Sequence, residues 1–148
     1  MTIFAFNIYD RHCNCIYNRQ FNEANGTINK YNDSNQLKLL FGLLYSLKTI
    51  VTKLKANNQL KSLVIGVFRI HYMETLTNFK FLLVTSNDID NLQLVLHKLY
   101  SQYFIENIIF NPLSQVEFME TSTELTKIIN NSNFINETDE YLMNLDIN

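Results

Sequence analysis

Three side chains near the N-terminus, His12, Cys13 and Cys15, are of types that bind metal ions. A structural zinc site needs four ligands, usually arranged as two pairs that are each close in sequence. The remaining histidines, His71 and His97, stand alone in distant segments. The spacing therefore predicts no metal site, and we interpret the segment around the cysteines as a polar hairpin turn that carries two thiols.

Residues suited to catalysis occur without the partners that catalysis requires. Asp88 and Asp90 lie two positions apart, and we interpret them as charges at the start of a helix rather than as an acid–base pair. No Gly-X-Ser-X-Gly nucleophile motif is present. The three glycines, Gly26, Gly42 and Gly66, are too far apart for a phosphate-binding loop. We therefore predict no catalytic residue and no cofactor, and a binding module rather than an enzyme.

Length and charge narrow the class of protein further. The chain has 148 residues, of which 47% are hydrophobic and 18% charged, as expected for one globular domain. Its net charge of -2 provides no general attraction to nucleic acid or anionic lipid. The longest apolar run, residues 39–47, is much shorter than the ~20 residues of a membrane span. Because we also recognise no secretory signal, we expect a cytoplasmic protein that binds no nucleic acid.

Hydrophobic periodicity predicts the elements that must position these residues. Alternating or short apolar segments predict five strands, over residues 2–9, 15–21, 62–67, 68–75 and 79–86. Apolar residues three and four apart predict helices, over residues 33–54, from Asp88 or Asp90 to about 110, and over about 114–131. The order β-β-α-β-β-β-α-α indicates an α+β fold in which helices pack on one five-stranded, mostly antiparallel sheet.

The distribution of charge suggests how the domain ends. Residues 117–148 contain seven acidic residues and one basic residue. We therefore predict a single domain over residues 1–132 and an acidic, loosely ordered tail over residues 133–148. The polar segment 22–32 is expected to be a long loop.

The first helix has more apolar circumference than one sheet can cover. One face contains Leu37, Leu40, Phe41, Leu44, Leu47, Val51 and Leu54, and a second stripe contains Leu39, Leu43, Leu47 and Ile50. We interpret the helix as buried on two sides, once inside the domain and once against a partner. The alternative is a helix enclosed in its own domain. Nearby lysines (Lys38, Lys48, Lys53, Lys55 and Lys61) are interpreted as a solvated rim, with a weak acidic-partner or membrane contact left open.

Four sequence blocks between residues 4 and 113 resemble the subunit 1 family of the TRAPP (transport protein particle) vesicle-tethering complex, whose members are small and longin-like. The blocks are FNIYDR (6–11), KLLFGLLYSLK (38–48), FRIHYMET (68–75) and VLHKLYSQYFIE (95–106), the last followed by NPL (111–113). The resemblance implies a longin-like fold.

The resemblance also implies a function. It implies a non-catalytic core subunit of a complex that acts as guanine-nucleotide exchange factor for an early-secretory Rab GTPase, in transport from endoplasmic reticulum to Golgi. Implied partners are a second longin-like subunit, a larger α/β subunit and, through the assembled complex, the GTPase. Membrane association would be peripheral, at the cis-Golgi and endoplasmic reticulum. Longin-like subunits pair through their second strand and first helix, so the implied partner-binding residues are Tyr17, Arg19, Leu39, Leu43 and Ile50.

Two other functions stay open at this point. A small subunit of a clathrin-type cargo adaptor shares this fold and length. An enzyme on the same scaffold would need a deep polar pocket that brings His71 or His97 to a carboxylate.

Overall fold

The computed structural model describes nine segments of the chain, residues 3–12, 14–21, 26–29, 34–55, 57, 59–88, 91–112, 128–129 and 131–147. Six strands and three helices lie in them. The strands are β1 (Ile3–Tyr9), β2 (Cys15–Gln20), β3 (Thr27–Ile28), β4 (Ser62–Ile65), β5 (Phe68–Glu74) and β6 (Lys80–Ser86). The helices are α1 (Asn35–Leu54), α2 (Gln93–Lys98), which continues as a π-helical segment (Leu99–Ile109), and α3 (Ser132–Ile147).

The strands form one antiparallel sheet in the order β3-β2-β1-β6-β5-β4. The α+β class and the antiparallel sheet agree with the prediction, but the sheet has six strands and not five. The additional strand, β3, has only two residues, which pair with Arg19 and Gln20 of β2. It lies inside the segment that we predicted as a loop, because two residues are too few to show any alternation of polarity.

Both faces of the sheet are apolar, because successive side chains of a strand point to opposite sides. On one face, Leu37 and Leu44 of α1 pack in a cluster with Tyr9, Tyr72 and Leu82. On the other face lies a larger core, to which α2, the π-helical segment and α3 contribute. It includes Phe6, Phe81, Leu96, Phe104 and Phe134. The sheet is therefore a middle layer between α1 and the other helices.

The two predicted helix starts are each displaced along the chain. The hydroxyl oxygen of Ser34 accepts a hydrogen bond from the backbone N–H of Leu37 (3.4 Å) and caps α1. The predicted cap, Asp33, lies outside the described residues. α2 begins at Gln93, and Asp88 lies exposed after β6, hydrogen-bonded to Ser86. Asp88 is therefore not the start of this helix, and the other predicted start, Asp90, is also outside the described residues.

The C-terminal segment differs most from the prediction. Residues 133–147, expected to be part of a loosely ordered acidic tail, form nearly all of α3. Three of its side chains, Phe134, Thr138 and Leu142, are four residues apart and buried. The acidic and amide residues between them concealed this spacing when the segment was judged by composition. The helix predicted over about residues 114–131 falls almost wholly outside the described residues.

One buried histidine makes the stability of this fold depend on pH. His71 lies on β5 with no exposed surface, and its Nε2 is 3.0 Å from the Thr85 hydroxyl oxygen. That hydroxyl donates to the Ser86 carbonyl, so Nε2 must be the donor to it. Nδ1 has no partner among the described residues. Burial, with a contribution from the charge of Arg69, lowers the pKa of His71 to about 4.

We predict that this histidine destabilises the protein in acid. The folded chain binds the proton near pH 4 and the unfolded chain near 6.5, so stability is full above about pH 6.5 and decreases as the pH falls toward 4. The free energy of unfolding should drop by about 2 kcal/mol between about pH 7 and 4.5. Urea denaturation across this range measures it. His71→Gln should flatten the dependence, whereas His97→Gln, at an exposed site, should not. Equal slopes for the two variants would contradict the assignment.

Candidate partner-binding surface

The outer side of α1 carries a row of large aliphatic side chains that the domain does not cover. At about 100° per residue, Leu39, Leu43, Ile50 and Leu54 lie along one side of the helix over roughly 22 Å. Their exposed fractions are 73%, 42%, 54% and 78%. We call these four residues the outer stripe. Such a contiguous apolar surface on a globular domain is typical of a protein–protein contact.

The inner side of α1 holds the helix firmly on the sheet. The Tyr9 hydroxyl donates to the Leu37 carbonyl (2.9 Å), and Lys48 forms an ion pair with Glu74 at the end of β5. The ring of Phe41 lies 5.5 Å from that of Tyr9, measured between centroids. These contacts fix the rotation of α1 about its axis, so the outer stripe is presented in one orientation.

Three of the five predicted partner-binding residues lie in this stripe. Leu39, Leu43 and Ile50 are exposed, so a partner can reach them. Leu54, which the periodicity placed on the inner face, is exposed as well and extends the stripe by one turn. Tyr45 is also exposed, but it lies about 160° around the helix from Leu43, on the opposite flank of the exposed surface.

The other two predicted residues, Tyr17 and Arg19, are buried inside the chain, which corrects their assignment. The Tyr17 ring packs against Phe134 of α3, with centroids 5.2 Å apart. Burial, with a contribution from the charge of Asp139, raises the pKa of the Tyr17 phenol, which stays neutral. Arg19 Nε lies 3.1 Å from Asp139 Oδ1 on the same helix. We missed these contacts because α3 was expected to be a loose tail.

The position of Arg19 also explains why residue 26 is a glycine. Arg19 Nη1 donates to the carbonyls of Gln20 (3.0 Å) and Thr27 (3.3 Å), and so lies against Gly26. A Cβ at Gly26 would collide with this guanidinium group, and the φ of +61° there also favours glycine. Arg19 therefore joins β2, β3 and α3.

The outer edge of β2 is closed by backbone and side-chain groups of the same chain. Asn29 N–H donates to the Asn18 carbonyl (2.6 Å), and Asn29 Oδ1 accepts from Asn18 N–H (3.1 Å). Further along, Ile129 N–H donates to the Ile16 carbonyl (2.7 Å). A partner strand would have to displace these bonds to pair with β2. Of the two elements that the resemblance implied for pairing, α1 is the accessible one.

A polar pocket of about 220 Å³ lies between α1 and the end of β5. Lys48, Tyr72, Glu74 and Gln93 are among the residues that line it. The Glu74 carboxylate already accepts a hydrogen bond from the Tyr72 hydroxyl (3.2 Å) and pairs with Lys48. Neither His71 nor any other histidine lines this pocket, so it does not form the histidine–carboxylate pair that the enzyme alternative requires.

The segment around the cysteines is described only in part. Cys15 lies at the start of β2, and its thiol donates to the Tyr17 carbonyl (3.4 Å); Cys13 is outside the described residues. Among the residues that the structure does describe, no three His, Cys, Asp or Glu side chains are close enough to bind a metal ion together. In the same part of the chain, every helix is too short or too polar to cross a membrane.

The sequence agrees with a family model over almost the whole fold. The model of the Sybindin-like family matches residues 3–137, from β1 into α3. The chain belongs to the Sybindin-like family.

The chain is also similar to several curated proteins whose names are closely related. The "Trafficking protein particle complex subunit BET5" of Saccharomyces cerevisiae is 34% identical over 153 aligned residues, which cover 96% of each chain. The "Trafficking protein particle complex subunit 1" of Dictyostelium discoideum is 33% identical and covers 75% of this chain and 80% of its own. The human protein of that name is 27% identical, covering 76% and 79%. The resemblance drawn from four sequence blocks is thus confirmed, and the relatives are subunits of trafficking complexes.

We predict that the Arg19–Asp139 pair stabilises this Sybindin-like domain and is not a partner contact. Asp139→Asn leaves a mostly buried guanidinium without its counter-charge, which should lower the free energy of unfolding by about 1–3 kcal/mol. Thermal denaturation of the isolated protein measures the loss. Glu140→Gln, at an exposed position on the same helix, is the matched control and should leave Tm nearly unchanged. An unaltered Tm for Asp139→Asn would show that the pair contributes no stability.

Proposed function

We propose that the protein is a non-catalytic core subunit of a TRAPP-type vesicle-tethering complex and that the outer stripe of α1 binds a second longin-like subunit. The observation that carries the proposal is the match to the yeast BET5 subunit over 96% of each chain. The exposed stripe, Leu39, Leu43, Ile50 and Leu54, supports it, because a subunit needs an apolar surface that its own fold leaves open.

The size of the stripe limits what it can do alone. Burying a large aliphatic side chain fully contributes about 1.5–3 kcal/mol, and these four are already partly covered. Their sum, on the order of 6 kcal/mol, lies near the lower end of the cost of association, which is about 4–15 kcal/mol. The stripe can therefore anchor an interface, but further contacts must surround it. Lys38 and Lys53, exposed on the same helix, are suited to pair with acidic residues at the rim of a partner.

The proposed complex acts as a guanine-nucleotide exchange factor for an early-secretory Rab GTPase, in transport from the endoplasmic reticulum to the Golgi. Exchange needs no covalent chemistry, because the complex only has to stabilise a GTPase conformation that binds nucleotide and Mg²⁺ poorly. A subunit of such a complex contributes shape and rigidity. The rigid attachment of α1 through Tyr9, Lys48 and Glu74 suits that role.

Partners and location follow from the same proposal. The partners are a second longin-like subunit, a larger α/β subunit and, through the assembly, the GTPase. The protein itself stays in the cytoplasm and reaches the cis-Golgi and endoplasmic reticulum peripherally, as part of the complex.

We predict that a charge in the stripe separates the protein from its complex without unfolding it. Leu43→Glu places a carboxylate in an apolar contact, so affinity purification from the native cell should recover at least tenfold less of the second longin-like subunit. Tyr45→Glu, exposed on the other side of α1, is the matched control and should retain it.

Subunit identification in the same experiment tests the class of the complex. Recovery of TRAPP subunits with the wild-type protein is expected. Recovery of clathrin-adaptor subunits instead would contradict the proposal, as would undiminished recovery of the second longin-like subunit with Leu43→Glu.

We also predict that the purified chain alone does not accelerate nucleotide release from a Rab GTPase. In the proposed complex the exchange surface is composed of several subunits, so the isolated chain should lack the differential affinity that shifts the GTPase population. Release of a fluorescent guanine nucleotide measures this, with the assembled complex as the positive control. Appreciable exchange by the isolated chain would overturn its assignment as a non-catalytic subunit.

A further inference from the structure

The two edges of the sheet differ in whether their backbone groups are hydrogen-bonded. At one edge, β3, Asn29 and Ile129 close the backbone of β2. At the other edge lies β4, whose one neighbour in the sheet is β5. An edge strand with unpaired backbone groups is a template for a further strand.

The alternating hydrogen bonds between β4 and β5 show which backbone groups of β4 point away from β5. Tyr72 N–H donates to the Lys61 carbonyl (2.9 Å), which marks this opposite pair as a hydrogen-bonded one. Hydrogen-bonded pairs recur every second residue, so Leu63 and Ile65 also direct their backbone groups toward β5. The N–H and C=O groups of Ser62 and Val64 then point away from the sheet. Among the described residues they have no strand beside them.

The side chains around this edge are apolar and exposed. Val64, Ile65, Val67 and Phe68 have exposed fractions of 45%, 44%, 72% and 42%. Ile65 lies opposite Phe68 on one face of the hairpin, and Val64 lies on the other face. An added strand could therefore bury apolar surface on both of its own faces.

Within residues 62–68 the edge lacks the charged side chains and proline that normally prevent pairing. Residues 62–68, Ser-Leu-Val-Ile-Gly-Val-Phe, contain no proline and no charge, and the register with β5 is uninterrupted. Natural proteins protect such edges with lysine, proline or a bulge. Among the described residues, the sheet is closed at the β2 edge and leaves the β4 edge apolar and unpaired, which suits β4 to bind an additional strand.

We propose that β4 binds an extended segment of another protein as an additional strand of the sheet. The chemistry of the segment follows from the surroundings: apolar side chains at alternate positions, and a carboxylate at the end that lies beside Lys61. Lys61 and Lys55 are exposed just before β4, so the start of the strand is positively charged. In a second copy of the chain, the same hairpin (residues 59–70) carries no acidic residue that could pair with Lys61. The site is separate from the outer stripe and does not depend on the proposed function.

The test uses the full chain and a synthetic probe. The probe is a nine-residue peptide of alternating valine and threonine with a glutamate at each end. The control peptide has the same side chains but an N-methyl group on every internal backbone nitrogen, so it cannot donate hydrogen bonds along either edge. Amide hydrogen exchange, followed residue by residue by NMR, is the readout.

Binding as a strand has a specific signature. The amides of Ser62 and Val64 should exchange at least about tenfold more slowly with the peptide, while those of Leu63 and Ile65 are already protected by β5. Val64→Pro removes an outward N–H and leaves the β5 bonds in place, so it should abolish the effect. Val64→Thr keeps the N–H and the branched shape and should retain it.

Three results would overturn the proposal. The first is that the peptide does not slow amide exchange at Ser62 and Val64, and the second is that the N-methylated peptide slows it equally. The third is self-association of the chain that Val64→Pro abolishes, which would make a second copy the occupant. Comparing the two peptides on the wild-type chain tests the proposal even if Val64→Pro fails to fold. None of these results bears on the α1 interface, because neither peptide is directed at the outer stripe.

Discussion

The apolar character of both faces of the sheet is the constraint on which the rest of this structure depends. Phe6 and Phe81 need cover on one side, and Tyr9, Tyr72 and Leu82 need it on the other. α2, the π-helical segment and α3 together cover the first side, whereas α1 is the one described helix that covers the second. A single helix that crosses a sheet exposes its outer half to the surroundings. Because that outer half carries leucine and isoleucine, the helix that buries the sheet leaves an apolar surface of its own exposed to solvent.

The same constraint explains why α3 decides which residues a partner can reach. Phe134 fills the core beneath Tyr17, and Asp139 neutralises Arg19, so β2 is covered by the chain's own C-terminal helix. Had that segment been loose, both β2 side chains would have faced solvent. Of the two elements implied for subunit pairing, β2 and α1, the position of this helix therefore leaves only α1 accessible.

The pattern of apolar residues along the sequence predicted the elements in which that pattern repeats over many residues. It failed for the elements in which it does not. Five strands and α1 were predictable, because alternation and three-to-four spacing extend over enough residues to be recognised. The exposed positions Leu39, Leu43 and Ile50 followed from the width of the α1 stripe. β3 has two residues and no period. In α3 the buried positions Phe134, Thr138 and Leu142 include a threonine and stand among many acidic and amide residues, so they give only a weak apolar pattern. Burial of Tyr17 and Arg19 arises from contacts more than a hundred residues distant in sequence, which no local pattern contains.

The two proposed contact surfaces differ in the physical basis of their selectivity. The outer stripe offers side chains only, so its affinity depends on how well a partner's shape excludes water from Leu43 and Ile50. The β4 edge offers backbone donors and acceptors, which any extended segment can satisfy, and its selectivity must come from alternate side-chain positions and from the charge of Lys61. A permanent subunit contact requires the first kind of surface, since shape is specific and slow to dissociate. An edge strand suits a contact that can be made and released, because it needs only a short segment to become extended.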